Sequence, residues 1–431
     1  MNMTHYPNLG ENLFRKKLAN GLTVVVVPKP GFTRKLAYFV TDFGSIHTDF
    51  TLEGQTYHVP AGVAHYLEHK LFELPDRDVT AEFAALGANV NAFTSYDMTA
   101  YYFSCTENFE KSLGLLLEFV STPWFPEESV IREQGIIDQE IGMYLDAPDS
   151  VVFDRLMENM YREHPIRVPI LGSRESIREI TPEILTLCHR AFYAPGNMIL
   201  CVVGDVDPEA VAAMAEKILG AEKKPVAEKC RPWQEDMVCP EKLTTRSMEV
   251  AMPTFQLGFK CEATGTGEEA IRQEIIGDLA AEALFGESSQ LYLSLYEQGL
   301  IDSSFGGGFE SVDGCAMLLC GGDSDEPQQV ADQVLAAAKQ LLETGISQEA
   351  FLRMKRSALG RRIRDLDSFD STCFRLTAYH FSQFDYFRFP AVYAQIEVEE
   401  IQEFLRRVVT PQRSSLSIIT PISGGNDYAT D

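Results

Sequence analysis

The chain has 431 residues, 45% of them hydrophobic, and a formal net charge of −26. That length and apolar fraction can fill more than one core, so two or more domains are expected, and the charge argues against nucleic-acid binding while attracting basic peptides. Nine scattered cysteines without a CxxC pair exclude a disulfide framework or zinc ribbon and read as reduced, mostly buried thiols.

Residues 1–17 are polar, with Pro7, Gly10 and Asn12 where a secretory signal would carry an apolar core. No later segment approaches the roughly 20 apolar residues of a membrane span. A cytoplasmic protein without a membrane partner is therefore expected, its acidity read first as a solubility device. Asn20-Gly21 marks a turn before the β-branched run 22–27, which with 36–40 predicts a strand pair. Over 62–72 the pattern turns helical, with Val63, Leu67 and Leu71 at every fourth position, and 80–86 reads as a short helix capped by Gly87. Residues 91–104 alternate and are rich in Thr and aromatics, predicting paired strands that turn near Ser95 to Asp97. Helices follow at 109–120 and at 127–145, the second entering after Pro126 and stopping before Pro148. A helix at 184–192, a strand at 198–203 and a helix at 208–219 complete a first α+β domain over 1–220.

The stretch 221–242 carries Pro225, Pro232 and Pro240 with little periodicity and suits a linker. The remainder, 243–431, starts again with a strand at 255–259, helices at 268–285 and 290–298, a strand at 316–320 and a helix at 328–342. At an offset of about 213 to 216 residues the halves share a helix ending in Leu-Phe (Leu71-Phe72, Leu284-Phe285) and a strand followed by a leucine-rich helix. The expected fold class is α+β: two homologous α+β domains, each an antiparallel-rich sheet with helices on one face, related by duplication. The tail 423–431 is expected to be disordered.

The chemistry concentrates in Ala64-His65-Tyr66-Leu67-Glu68-His69-Lys70. Histidines at i and i+4 lie one above the other on a helix, so both imidazoles can reach one ion, and Glu68 sits one turn from His65 on the same side. Zinc accepts neutral imidazole readily, and three protein ligands leave a fourth position open for water, whose proton a neighbouring carboxylate can take. The order H-x-x-E-H is the inverse of H-E-x-x-H. With eight histidines in the chain, its chance occurrence is on the order of one in a hundred. For the third ligand, helix 127–145 offers Glu133 and Glu140, seven positions apart on one face among Ile136, Ile137 and Ile141. Composition alone does not choose between them.

Three stretches, GVAHYLEHKLFE (62–73), NAFTSYDMT (91–99) and REQGIIDQEIG (132–142), together with the apparent duplication, resemble the pitrilysin/insulinase family of zinc metallopeptidases, in particular its small bacterial members similar to processing-peptidase subunits. The resemblance implies a zinc endopeptidase acting on extended peptides or small unfolded polypeptides, with one Zn²⁺ on His65, His69 and Glu140. It also implies Glu68 as general base, Glu133 as an acid that orients a ligand, and Asn91, Ala92, Phe93 and Thr94 as an edge strand that binds the substrate backbone.

The second half departs from the family. Where relatives carry an arginine and, several residues later, a tyrosine, this chain has Tyr296 and Asp302, and the positions 213 after His65, Glu68 and His69 are Asp278, Ala281 and Glu282. The expectation drawn from this is a heterodimer with a related metal-free subunit that supplies the missing pair, or else a homodimer. The competing expectation is a non-catalytic subunit that holds a peptide or partner.

Overall fold

The computed structural model describes residues 1–422 apart from Pro232, and the expectation for the tail 423–431 lies outside the described residues. The first sheet contains β1 (Asn2–Tyr6), β2 (Glu11–Lys17), β3 (Thr23–Pro28), β4 (Lys35–Thr41), β5 (Ala88–Thr94), β6 (Thr99–Cys105) and β7 (Met198–Gly204), in the spatial order β1-β2-β3-β7-β4-β6-β5. Only β3 and β7 run parallel, with Val24 opposite Leu200. These two strands and β4 read as near-continuous apolar runs because both faces of the sheet are covered. The polar segment 1–17, for which no strands were predicted, forms the outer hairpin of this sheet. An edge pair keeps few inward side chains, here Tyr6 and Leu13, too few to show as alternation.

The second sheet contains β8 (Leu243–Met248), β9 (Thr254–Cys261), β10 (Gly306–Val312), β11 (Cys315–Asp323) and β12 (Ser414–Pro421), in the order β8-β12-β9-β11-β10. Its one parallel pair, β8 with β12, and the antiparallel pairs beyond it repeat the pattern β3-β7-β4-β6-β5 of the first half. The duplication read from the Leu-Phe helix ends therefore appears as the same topology twice.

The helices relevant here are α1 (Val63–Leu71), α2 (Phe109–Val120), α3 (Glu127–Leu145), α4 (Pro148–Met160), α5 (Glu268–Phe285), α6 (Gln290–Glu297), α7 (Gln348–Arg364) and α8 (Phe369–Phe381). α1 and α2 pack on one face of the first sheet, around Val24, Val26, Phe39, Phe103, Leu200 and Val202, and α3 lies over α1. The opposite face, with Val25, Val27, Tyr38, Val40 and Cys201, receives α8 from the second half; Cys373 Sγ lies 3.9 Å from the Cys201 carbonyl oxygen. Reciprocally, α4 of the first half lies across β9 and β12 of the second. Gly258 permits that approach, since a Cβ there would stand 2.5 Å from Met160 Sδ. Each sequence half thus supplies a helix to the other's sheet, and one hydrophobic core runs through both.

The stretch 221–242 is irregular but held along its length. Glu228 and Lys229 pair with Thr51 and Phe50, and Glu235 accepts the backbone N–H groups of Arg162, Glu163 and His164 at 2.9, 2.6 and 2.8 Å. All nine cysteines are free thiols and all but Cys230 are buried. Among the described residues no helix is long and apolar enough to cross a membrane.

Burial lowers His47 and His189 to about 4; nearby Lys229 adds to this for His47, while a hydrogen bond to the Val120 carbonyl opposes it for His189. Both fold as neutral rings, so below pH 6.5 the unfolded chain binds protons that the folded chain refuses. Their stabilisation is present above that pH and is lost as pH falls toward 4, up to about 3 kcal/mol each. Thermal melts are expected to shift down by several degrees between pH 7 and pH 5; coincident melts would show that the rings protonate without cost.

Candidate metal centre

α1 begins at Gly62, whose φ of 90° favours glycine and whose Cβ position would fall 2.4 Å from the Leu171 carbonyl oxygen. Every α1 residue except His69 is buried, because the helix is packed between the first sheet and α3. Two polar clamps set the α1–α3 pairing. The Tyr66 hydroxyl donates to the Val130 carbonyl, and the Lys70 ammonium, fully buried, bonds Ser129 and Glu73.

This packing brings the two glutamate candidates of α3 to different places. Glu140 faces both rings, with Oε1 3.6 Å from His65 Nε2 and Oε2 3.6 Å from His69 Nε2. Glu133 lies behind His69, its Oε1 3.1 Å from Nδ1. One donor atom from each of His65, His69 and Glu140 lies within 4.8 Å of the others, the one such group among the described residues. Tetrahedral zinc with bonds near 2.0–2.1 Å spaces its ligand atoms about 3.3 Å apart, close to the 3.6 Å between Glu140 and each ring, so the donor set fits zinc. Burial and the neighbouring His69 lower His65 to about 3, which leaves its ring unprotonated and able to ligate. For His69 burial favours the neutral ring, but the Glu133 bond and the charges of Glu68 and Glu140 outweigh it and raise the pKa. Metal binding there displaces a proton.

Glu68 is buried beside this group. Burial raises its pKa; a hydrogen bond from Thr94 and the nearby His69 work against that, and Glu140 adds to it. The Thr94 hydroxyl donates to Glu68 Oε2 at 2.6 Å. This contact spans 26 residues of sequence and no local pattern signals it. Asn91, Ala92, Phe93 and Thr94 end β5, the edge strand of the sheet, but their side chains diverge. Thr94 reaches Glu68, Asn91 Oδ1 accepts the Ala92 N–H at 2.8 Å, and Phe93 turns to the other face, its ring 6.0 Å from that of Phe374.

The corresponding place in the second half holds an internal cation. Arg362 of α7 binds Glu274 at 2.8 Å and Asp278 at 2.9 Å, and Arg361 binds Glu282 at 2.9 Å. Two guanidinium groups thus pair the acids that stand where the first half carries its histidines, Arg362 with Asp278 and Arg361 with Glu282. Tyr296 is exposed on α6 and stacks on Tyr292, while Asp302 accepts the Ser304 N–H in a turn.

Two family models match the chain: "Insulinase (Peptidase family M16)" over residues 54–174 and "Peptidase M16 inactive domain" over residues 179–358. The chain is 38% identical over 427 residues, 97% of its own length and 99% of the relative's, to the "Uncharacterized zinc protease YmfH" of Bacillus subtilis (strain 168). The "Crystal structure of putative M16-like peptidase from Alicyclobacillus acidocaldarius" superposes with a TM-score of 0.92 at 33% identity, covering 96% of this chain and 99% of that one. Pitrilysin shares the fold, with a TM-score of 0.77 at 18% identity, and this chain spans 46% of its length. The duplicated topology, the histidine pair on a buried helix and the match over nearly the full length agree: the chain belongs to the M16 family of insulinase- and pitrilysin-like peptidases.

Proposed function

We propose that this protein is a zinc-dependent endopeptidase that hydrolyses extended peptides or small unfolded polypeptides, with Glu68 as general base. The observation that carries the reading is the convergence of His65, His69 and Glu140 within 4.8 Å beside the buried carboxylate of Glu68. Zinc bound by these three residues supplies Lewis acidity, polarising a scissile carbonyl and acidifying water. Glu68 accepts the proton of the attacking water and returns it to the leaving amine. Glu133 holds the His69 ring through Nδ1, which leaves Nε2 facing Glu140, where it would ligate zinc. The free edge of β5 pairs with the backbone of a peptide, whatever its side chains. The test is metal content together with cleavage of a quenched-fluorescent peptide library. His65→Ala is expected to lose the zinc and the cleavage while keeping its fold; unchanged cleavage overturns the assignment.

The same reading includes a partner. The Glu140 side chain is 41% exposed, and Ile136 and Met143 beside it on α3 are also exposed, so the site opens to solvent. One core joins the two halves, which argues against their closing over a substrate like jaws. A related metal-free subunit would cover the open site and bring the arginine and tyrosine that this chain lacks; a second copy of the chain is the alternative. Mixing with such a subunit is expected to raise kcat/KM by about 100-fold or more, the scale of an added oxyanion donor. Zinc binding with no cleavage in any mixture would favour the peptide-holding subunit instead.

A further inference from the structure

The two oxygens of Glu68 have unequal surroundings. Oε2 accepts from Thr94 Oγ1 at 2.6 Å, the short distance of a charge-assisted bond. Proton bookkeeping fixes the direction. A hydroxyl has one proton, and Thr99 directs its own to the Phe43 carbonyl at 2.8 Å. Thr94 Oγ1 lies 3.5 Å from Thr99 Oγ1, so the proton of Thr94 goes to the nearer and charged acceptor. The Thr94 backbone is held in turn: it ends β5 at the turn closed by Ser95 N–H to the Met98 carbonyl at 2.8 Å, and Ser95 Oγ donates to Asp97 at 2.8 Å. Its β-branched side chain has few rotamers open to it.

We infer that Thr94 is a positioning residue for the base, committing Oε2 of Glu68 to its own hydroxyl so that Oε1 takes the proton of the attacking water, and thereby coupling the peptide-binding strand to proton transfer. The inference rests on the peptidase reading above. In the step itself, one O–H bond of water breaks as its oxygen forms the C–O bond to the scissile carbonyl carbon, and the proton passes to Oε1. When the C–N bond breaks, the same proton goes to the amine nitrogen. Without Thr94 either oxygen is free to rotate toward the water, and the carboxylate spends less time aligned.

Two variants of the zinc-loaded full chain separate this role from a structural one. Thr94→Val keeps the shape and removes the donor; Thr94→Ser keeps the donor. Thr94→Val is expected to lower kcat by about 10- to 100-fold with KM changed by less than about two-fold, and Thr94→Ser to recover to within about three-fold of the parent. Zinc content and melting temperature are expected to stay close to the parent in both. Affinity for a peptide hydroxamate, which chelates the metal and hydrogen-bonds the base, gives a readout that needs no turnover. It is expected to fall about tenfold in Thr94→Val, toward the level of Glu68→Gln, and to return in Thr94→Ser. An unchanged kcat and hydroxamate affinity in Thr94→Val, or Thr94→Ser as impaired as Thr94→Val, overturns the role of Thr94. A parent chain that binds zinc and the hydroxamate but cleaves nothing sinks the peptidase reading alone, and the hydroxamate comparison still decides Thr94.

Discussion

Glu68→Gln is expected to keep one zinc per chain and to lower kcat by about three orders of magnitude, within the range that a general base contributes. The amide has nearly the shape of the carboxylate and its oxygen still accepts from Thr94, so neither the helix nor the ligands on either side are disturbed. What disappears is the acceptor for the proton of the attacking water. Stability should hold or rise, because burial disfavours the charge that the substitution removes. The measurements are steady-state kinetics with elemental analysis for zinc on the same sample. Near-parental kcat with zinc bound would falsify the role of Glu68 as base.

The second large effect lies in the fold. Lys260 of β9 is 1% exposed, and its ammonium donates to the Met160 carbonyl at 2.9 Å and to Glu235 Oε2 at 2.6 Å. Glu235 in turn caps the segment that follows α4 through three backbone N–H groups. Burial would raise the pKa of Glu235, but the Lys260 bond and those backbone donors hold it below the usual carboxylate range. Lys260→Met strands this carboxylate without its cation and is expected to cost about 3–5 kcal/mol in denaturant unfolding. Adding Glu235→Gln should recover part of the loss, since the stranded charge is then gone. A loss below about 1 kcal/mol, the value of a surface pair, would show that the junction is solvated.

The exchange of α4 and α8 sets how these results are to be read. A substitution at the junction disturbs both sheets, because each is covered on one face by a helix from the other half. Destabilisation should therefore appear as one cooperative transition rather than as two.

Several elements were legible because their information is local. The β-branched runs of β3, β4 and β7 and the fourfold spacing of α1 are periodicities over fewer than ten residues, and they appear in the structure at nearly the predicted positions. The H-x-x-E-H spacing was legible for the same reason, since helix geometry alone stacks His65 over His69, their ring centroids 4.6 Å apart. Other features were not. The hairpin of β1 and β2 buries too little to leave an alternation. α4 forms over 148–160, where the sequence analysis assigned no element, and nothing within that segment says which sheet it will cover.

The chain's own residue order thus determines the helix that carries two histidines and a carboxylate, the repeated order of elements and the acid-rich helix from which a third donor comes, because each depends on contacts a few residues long. The family resemblance implied Glu140 as ligand and Glu133 as the orienting acid, but physically it is the packing of α1, α3 and β5 against one another that decides which glutamate faces the rings, which lies behind His69 and which hydroxyl holds the base. Helix periodicity places Glu133 and Glu140 on one face but leaves open the height at which α1 crosses it, and that height is set by Tyr66 against Val130 and Lys70 against Ser129.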